Sequence, residues 1–118
     1  MKNMKIYNVI YQECFNDQNM YYGFESRLED IKSKSFLSLQ LAKKHLKELF
    51  EEIKKQDIFE ELDFNKLDNG DEEYYEEIVC NVGYEYDNSI NDGYCYIADK
   101  DYDYYFIAKI EEVELGGK

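Results

Sequence analysis

The sequence predicts an α+β fold: an antiparallel sheet of about five strands, arranged ββα and then a βββ meander, with one long amphipathic helix packed on one face. Apolar residues recur at three- and four-residue steps over residues 36–56. On both sides of that stretch, β-branched and aromatic residues alternate with polar ones. Asn, Asp and Gly cluster between the alternating segments, where turns are needed. With 118 residues, the chain has the length of one domain, and 1–118 reads as a single α+β domain. Its 44% hydrophobic content suffices for one core without disulfide or metal staples.

Residues 5–15 (KIYNVIYQECF) place Tyr7, Val9, Tyr11 and Phe15 on one parity and predict the first strand. Asn16, Asp17, Gln18 and Asn19 supply its turn. Residues 20–26 (MYYGFES) predict the returning strand, extending toward Leu28 and Ile31, with Gly23 marking a bulge or a close approach.

The helix over 36–56 carries Leu39, Ala42, Leu46, Leu49, Phe50 and Ile53 on its apolar stripe. Ser38 can cap its start, and Lys44 with Glu48, Lys47 with Glu51 and Glu51 with Lys55 stand at i, i+4 on the wet side. Such a helix is about 30 Å long, enough to cover one face of a small sheet. His45, beside Lys43, Lys44 and Lys47, falls off the stripe and reads as a solvated surface histidine.

Beyond it, Ile58, Phe59, Leu62, Phe64 and Leu67 predict a short second helix or turn that docks back before Asn69 and Gly70 break it. Residues 74–86 alternate with period two and predict a strand. Asn91, Asp92 and Gly93 signal a turn before a strand over 94–98. The last strand, 102–115, puts Tyr102, Tyr104, Phe106, Ala108 and Ile110 on one face, with Asp103, Tyr105, Ile107, Lys109 and Glu111 on the other.

Charge is distributed unevenly. The net charge of -13 divides into +2 over residues 1–56 and -15 over residues 57–118. Nine of the 13 tyrosines lie between Tyr74 and Tyr105, interleaved with carboxylates in DEEYYEE and DKDYDYY. Binding that tracks phosphates needs Lys and Arg, so this balance argues against direct nucleic-acid binding, and an anionic membrane surface is disfavoured by the same sign. No apolar run approaches 18 residues, so neither a membrane span nor a signal peptide is expected. Cys14, Cys80 and Cys95 show no C-x-x-C spacing, which suits free thiols in a reducing cytoplasm.

Motifs for chemistry are scarce. G-x-G-x-x-G, G-x-x-x-x-G-K-[ST], G-x-S-x-G and H-E-x-x-H are all missing, and Arg27 is the only arginine. Three scattered cysteines and His45 lack the paired spacing of a zinc site. Asp99, Asp101 and Asp103 begin like an EF-hand loop, but position six is Tyr104 where Gly is required and position twelve is Ile110 where Glu is required. The expectation is therefore a protein that is not an enzyme, with no cofactor and no dedicated metal site.

The acidic, aromatic half supports a binding role. On a strand, carboxylates at i and i+2 point the same way about 6.8 Å apart, so Asp99, Asp101 and Asp103 would present evenly spaced negative charge. Duplex DNA does the same, with one phosphate per roughly 3.4 Å of axis on each strand. A protein with such a face can occupy the basic groove of a nucleic-acid-binding protein, with electrostatic steering and tyrosine contact area. The candidate partner-binding residues are Glu72, Glu73, Glu76, Glu77, Asp99, Asp101 and Asp103, with Tyr102 and Tyr105 as anchors. The alternative is that the acidity only solubilises a sheet whose tyrosines pack internally.

KIYNVIY, FLSLQLAKKHL and YYFIAKIEEVEL, in a short Asn-, Lys-, Tyr- and Glu-rich chain without Pro or Trp, resemble small open reading frames of phages and mobile elements in AT-rich bacteria. Many anti-CRISPR and anti-restriction proteins come from that pool. The resemblance implies a stoichiometric, cofactor-free inhibitor in the bacterial cytoplasm that blocks the DNA-binding surface of a CRISPR effector or restriction enzyme. An immunity protein or antitoxin against a basic nuclease toxin shares the same features, and a homodimer or larger homo-oligomer formed through a Tyr-rich sheet face is a third reading.

Overall fold

The computed structural model describes residues 4–15 and 31–115. Within them the chain is α+β. Strands β1 (Met4–Phe15), β2 (Lys32–Phe36), β3 (Glu85–Ser89), β4 (Tyr94–Ala98) and β5 (Tyr104–Leu115) form a 5-stranded antiparallel sheet in the order β2-β1-β5-β4-β3. The helices are α1 (Leu39–Lys54), α2 (Phe64–Asp68) and α3 (Glu72–Tyr75), the last continuing into a π-helical segment, Glu76–Val82. No helix of the described residues is long and apolar enough to cross a membrane.

The sheet is built around its two 12-residue strands, β1 and β5, paired from Met4 opposite Leu115 to Phe15 opposite Tyr104. The parity expected of Tyr7, Val9 and Tyr11 in β1 and of Tyr104, Phe106, Ala108 and Ile110 in β5 holds. Val9 of β1 and Tyr104, Phe106 and Ala108 of β5 are buried on the side that α1 covers. Cys95 and Ile97 of β4 and Tyr86 of β3 extend that layer, and Ala42, Leu46, Phe50 and Ile53 of α1 close it. The Phe50 ring stacks on Tyr86 at 5.6 Å and on Phe106 at 6.3 Å. Burying one such ring contributes about 2–3 kcal/mol.

Ser38 caps α1 as expected, its hydroxyl accepting the Leu41 N–H at 3.4 Å, so the helix begins at Leu39 instead of residue 36. Its acidic residues pair three positions on, Glu51 with Lys54 at 2.7 Å and Glu52 with Lys55 at 3.5 Å. His45 is half-buried against the Phe36 ring, 5.2 Å between centroids, a correction to the solvated reading. Of the free thiols, Cys14 and Cys95 are buried and Cys80 is exposed.

Two strand expectations change. The turn at 16–19, the strand at 20–26 with Gly23, and Arg27 lie outside the described residues. The strand that pairs with β1 on its outer side is β2, whose Lys32, Ser33, Lys34 and Ser35 are all exposed. An edge strand with a single apolar residue gives no alternation to detect.

The second change concerns residues 74–86, which are not one strand. Only Glu85–Ser89 is extended, and the preceding stretch is helical. Asp71 caps that helix by accepting the Tyr74 N–H at 3.0 Å, and Glu72 and Glu73 sit where the helix dipole favours negative charge. Ile78 is its one fully buried residue; Tyr74 packs partly buried against the core, Val79 is half-buried, and Tyr75 and Val82 lie open. Gly83 ends it at φ +113, with the Gly83 and Tyr84 N–H groups both donating to the Ile78 carbonyl at 3.0 Å. A Cβ at Gly83 would lie 3.4 Å from the Lys100 carbonyl oxygen, so the helix end and the β4–β5 turn approach closely here.

Candidate functional site

Sheet order turns the uneven charge of the sequence into a spatial division. One edge of the sheet is β2, with Lys32 and Lys34; the other is β3, with Glu85 and Asp87. Helix α2 docks against the β3 edge through Phe64, whose ring lies 5.6 Å from Tyr86, and through Asp68, which accepts from Asn88 Nδ2 at 3.0 Å, and the acidic α3 follows it. The β4–β5 turn meets the same edge, where the Tyr102 and Tyr96 hydroxyls both donate to Glu85.

Glu72, Glu73, Glu76 and Glu77 are all exposed. They stand on a helix and not on a strand, so their spacing differs from the expected one. Glu72 and Glu73 open α3, and Glu76 and Glu77 open the π-helical segment that continues it, so the four are successive helical positions and not an alternating row.

The β4–β5 turn departs further from expectation. Asp99, Asp101 and Asp103 lie between strands, and one carboxylate oxygen of each falls within 4.8 Å of the others. The evenly spaced row is thus replaced by a cluster. Asp99 is only 3% exposed and holds the turn: its Oδ1 accepts the Tyr104 N–H at 2.9 Å and its Oδ2 the Asp101 N–H at 3.4 Å. Asp101 is exposed and Asp103 half-buried. Tyr102 has a left-handed backbone, φ 56, and precedes β5 instead of opening it. Tyr105 is half-buried on the sheet face away from α1, opposite Ala98 and Cys14, with its ring 6.3 Å from Tyr96.

Several tyrosines pack inward and direct their hydroxyls to carboxylates. Tyr84 donates to Glu61, Tyr86 to Asp68 and Tyr104 to Glu13. Burial, reinforced by the carboxylate each one faces, pushes all three phenols well above the usual tyrosine range. The Glu61 carboxyl is lowered by the Tyr84 hydrogen bond and then by Lys100, whose Nζ lies 3.4 Å away. Burial alone would raise Asp68, but the Tyr86 and Asn88 hydrogen bonds and Lys54 together outweigh it and hold its carboxyl below the usual range.

Sequence reading missed the most organised polar cluster. Lys54 Nζ, on a side chain only 9% exposed, lies 2.7 Å from Glu51 and 3.4 Å from Asp68, and stands over the rings of Phe50 at 5.3 Å and Phe64 at 5.0 Å. A polar cleft of about 440 Å³ runs along it, bordered by Lys47, Glu51, Asn88 and Asn91. A second, of about 370 Å³, lies between the α2–α3 helices and β3, with Tyr75, 42% exposed, on its wall. The one available signal was Lys54 itself, a cation next to Ile53 on the apolar stripe.

No protein-family model, curated protein or solved structure matches this chain.

Proposed function

We propose that this protein is a non-enzymatic inhibitor of a nucleic-acid-binding defence enzyme, of anti-CRISPR or anti-restriction type, that occupies the target's basic DNA- or RNA-binding surface through its acidic, Tyr-rich side. The supporting observation is the division of charge across the sheet: Glu72, Glu73, Glu76 and Glu77, the Asp99–Asp103 turn and Glu85 and Asp87 all belong to the β3 side, with the lysines of β2 on the far edge. A concentrated carboxylate surface draws a basic partner at long range and registers it by charge. Such a protein works as one copy per target, in the cytoplasm where its target acts, without cofactor or membrane. Like-with-like pairing of the sheet edges is disfavoured. Pairing β2 with β2, or β3 with β3, would oppose like charges across the new ladder, a device that keeps sheet edges apart.

The test is capture from a bacterial lysate containing CRISPR effectors and restriction enzymes, with and without added duplex DNA and at two salt concentrations. Capture of such an enzyme, competed by DNA and weakened by salt, supports the proposal. Replacing Glu72, Glu73, Glu76 and Glu77 together by Lys should then abolish capture. Capture of one small basic toxin would move the assignment to an immunity protein, and salt-resistant self-association alone would move it to a homo-oligomer.

A further inference from the structure

We propose that the cleft lined by Leu67, Asp68, Tyr75, Tyr86, Asp87 and Asn88 receives a guanidinium group, an arginine side chain of the basic protein partner. This rests on the acidic-surface reading above and names the residue chemistry that the surface grips. At about 370 Å³ the cleft admits a side chain. Among the described residues, the only ionisable groups on its wall besides the two tyrosines are the carboxylates of Asp68 and Asp87.

Asp68 is held ready for such a guest. Its Oδ1 accepts from Tyr86 and Asn88, and its Oδ2 faces Lys54 at 3.4 Å. Lys54 lines the neighbouring 440 Å³ cleft, which shares Asp68 and Asn88 with this one, and is not part of this cleft's wall. A carboxylate offers about four lone-pair sites, so Asp68 retains acceptor capacity. Asp87, exposed at the edge strand, takes one hydrogen bond, from Ser89 Oγ at 2.6 Å. The exposed Tyr75 ring adds an aromatic surface, and in sequence it stands between Glu73 and Glu76 of the acidic patch. Carboxylates beside an aromatic face suit a guanidinium better than an ammonium, because the guanidinium is planar, weakly hydrated, donates in a fork and stacks on rings.

The test is a titration of the isotope-labelled full chain with N-acetyl-arginine amide, followed by NMR, with the lysine and citrulline amides as comparisons. Saturable shifts at Tyr75, Tyr86 and Asn88 are expected with arginine, weaker ones with lysine and none with citrulline. Tyr75→Ala and Asp87→Asn should each weaken arginine binding by about three- to tenfold, the range for one cation–π contact or one charge-assisted hydrogen bond. Both side chains are exposed, so unchanged unfolding midpoints will separate lost binding from lost structure. Shifts scattered over all the exposed carboxylates without saturation, or binding indifferent to both variants, would overturn the proposal. If arginine fails to bind while DNA-competed capture persists, the cleft is wrong and the acidic surface stands. Arginine binding without any DNA-competed partner leaves the cleft and removes the inhibitor reading.

Discussion

The Tyr104 hydroxyl donates to Glu13 Oε2 at 2.7 Å across 91 positions of chain and accepts from Gln56 Nε2 at 3.2 Å. Tyr104 is 1% exposed, and Glu13 stands on the same strand parity as Val9 and Tyr11, a carboxylate on the core-facing side of β1. The three side chains join β1, β5 and the segment after α1. A buried phenol gives this carboxylate a reason to point inward.

Removing that hydroxyl with Tyr104→Phe keeps the ring packed on Phe59 but leaves the Glu13 carboxylate without this donor. The expected cost is about 1–3 kcal/mol, measured by urea unfolding at neutral pH. Tyr104→Phe combined with Glu13→Leu should recover part of that loss, because the carboxylate goes too; full additivity of the two costs would show that the contact contributes nothing.

The buried phenols also set an alkaline limit. The pKa values of Tyr84, Tyr86 and Tyr104 are raised in the fold, burial being the first cause, and the buried Cys95 thiol is pushed up to about 12. The unfolded chain therefore releases these protons first. The stability they contribute is complete below their unfolded pKa values, about 9 for Cys and 10 for Tyr, and declines as pH rises above them, by at most about 1.4 kcal/mol per pH unit for each group. Absorbance of tyrosinate, recorded with circular dichroism, should show these tyrosines ionising together with unfolding. Smooth ionisation of all 13 tyrosines near pH 10 with the fold intact would contradict it.

How far sequence reading reached follows from the kind of signal each element carries. α1 and β5 bury one regular stripe each, so period alone located them. β2 buries almost nothing and has no such stripe. Residues 74–82 failed for the opposite reason: their alternation suggests a strand, yet Asp71 caps a helix there, and Ile78, with Tyr74 partly buried beside the core, meets it at helical spacing. The acidic surface was visible as composition, but its geometry was not, because Asp99 turns inward and the tyrosine hydroxyls of Tyr84, Tyr86 and Tyr104 take carboxylates from distant positions. Composition counts carboxylates without saying which ones the fold consumes.

Asp99 and Asp101 should therefore behave differently despite their shared charge and their place in one turn. Asp99→Ala leaves the Tyr104 and Asp101 N–H groups without their acceptor and should cost about 1–3 kcal/mol. Asp101→Asn, at an exposed position, relieves like-charge repulsion and should change stability by less than about 0.5 kcal/mol. Thermal unfolding of the two variants side by side decides this; equal effects would show that Asp99 does not hold the turn. Charge-reversal tests of binding belong on Asp101, since changes at Asp99 would disturb the turn itself.

Lys54→Met keeps the apolar stem over Phe50 and Phe64 and removes only the charge between Glu51 and Asp68. A fully buried pair broken in this way costs about 3–5 kcal/mol. Glu51 and Asp68 keep side-chain exposures of 48% and 33%, so about 1–2 kcal/mol is expected here. The sign at low pH is also fixed. Asp68 is held below the usual carboxylate range, so its stabilisation is present above the unfolded pKa and is lost as pH falls through the folded one. The variant should show a shallower loss of stability below pH 4 than the native chain, read from urea midpoints at several pH values.

His45 is the only histidine, so its titration reports one site without ambiguity. Its pKa is lowered from 6.5, first by burial and then by the charge of Lys34, against a smaller opposing pull from Glu48. Lys34 belongs to the edge strand β2 and lies over the same Phe36 ring, 5.7 Å from its centroid, that His45 packs against. The shift is thus a measure of β2 docking on α1. A folded pKa below the unfolded one means that stability falls as pH drops through about 6.5, because the unfolded chain takes the proton first. NMR of the imidazole should place the midpoint below 6.5 in the native chain. Lys34→Glu should move it upward by exchanging a repelling charge for an attracting one, whereas Lys55→Glu, on the far end of α1, should leave it in place. An unshifted midpoint in the Lys34 variant would mean that β2 does not hold Lys34 beside the helix.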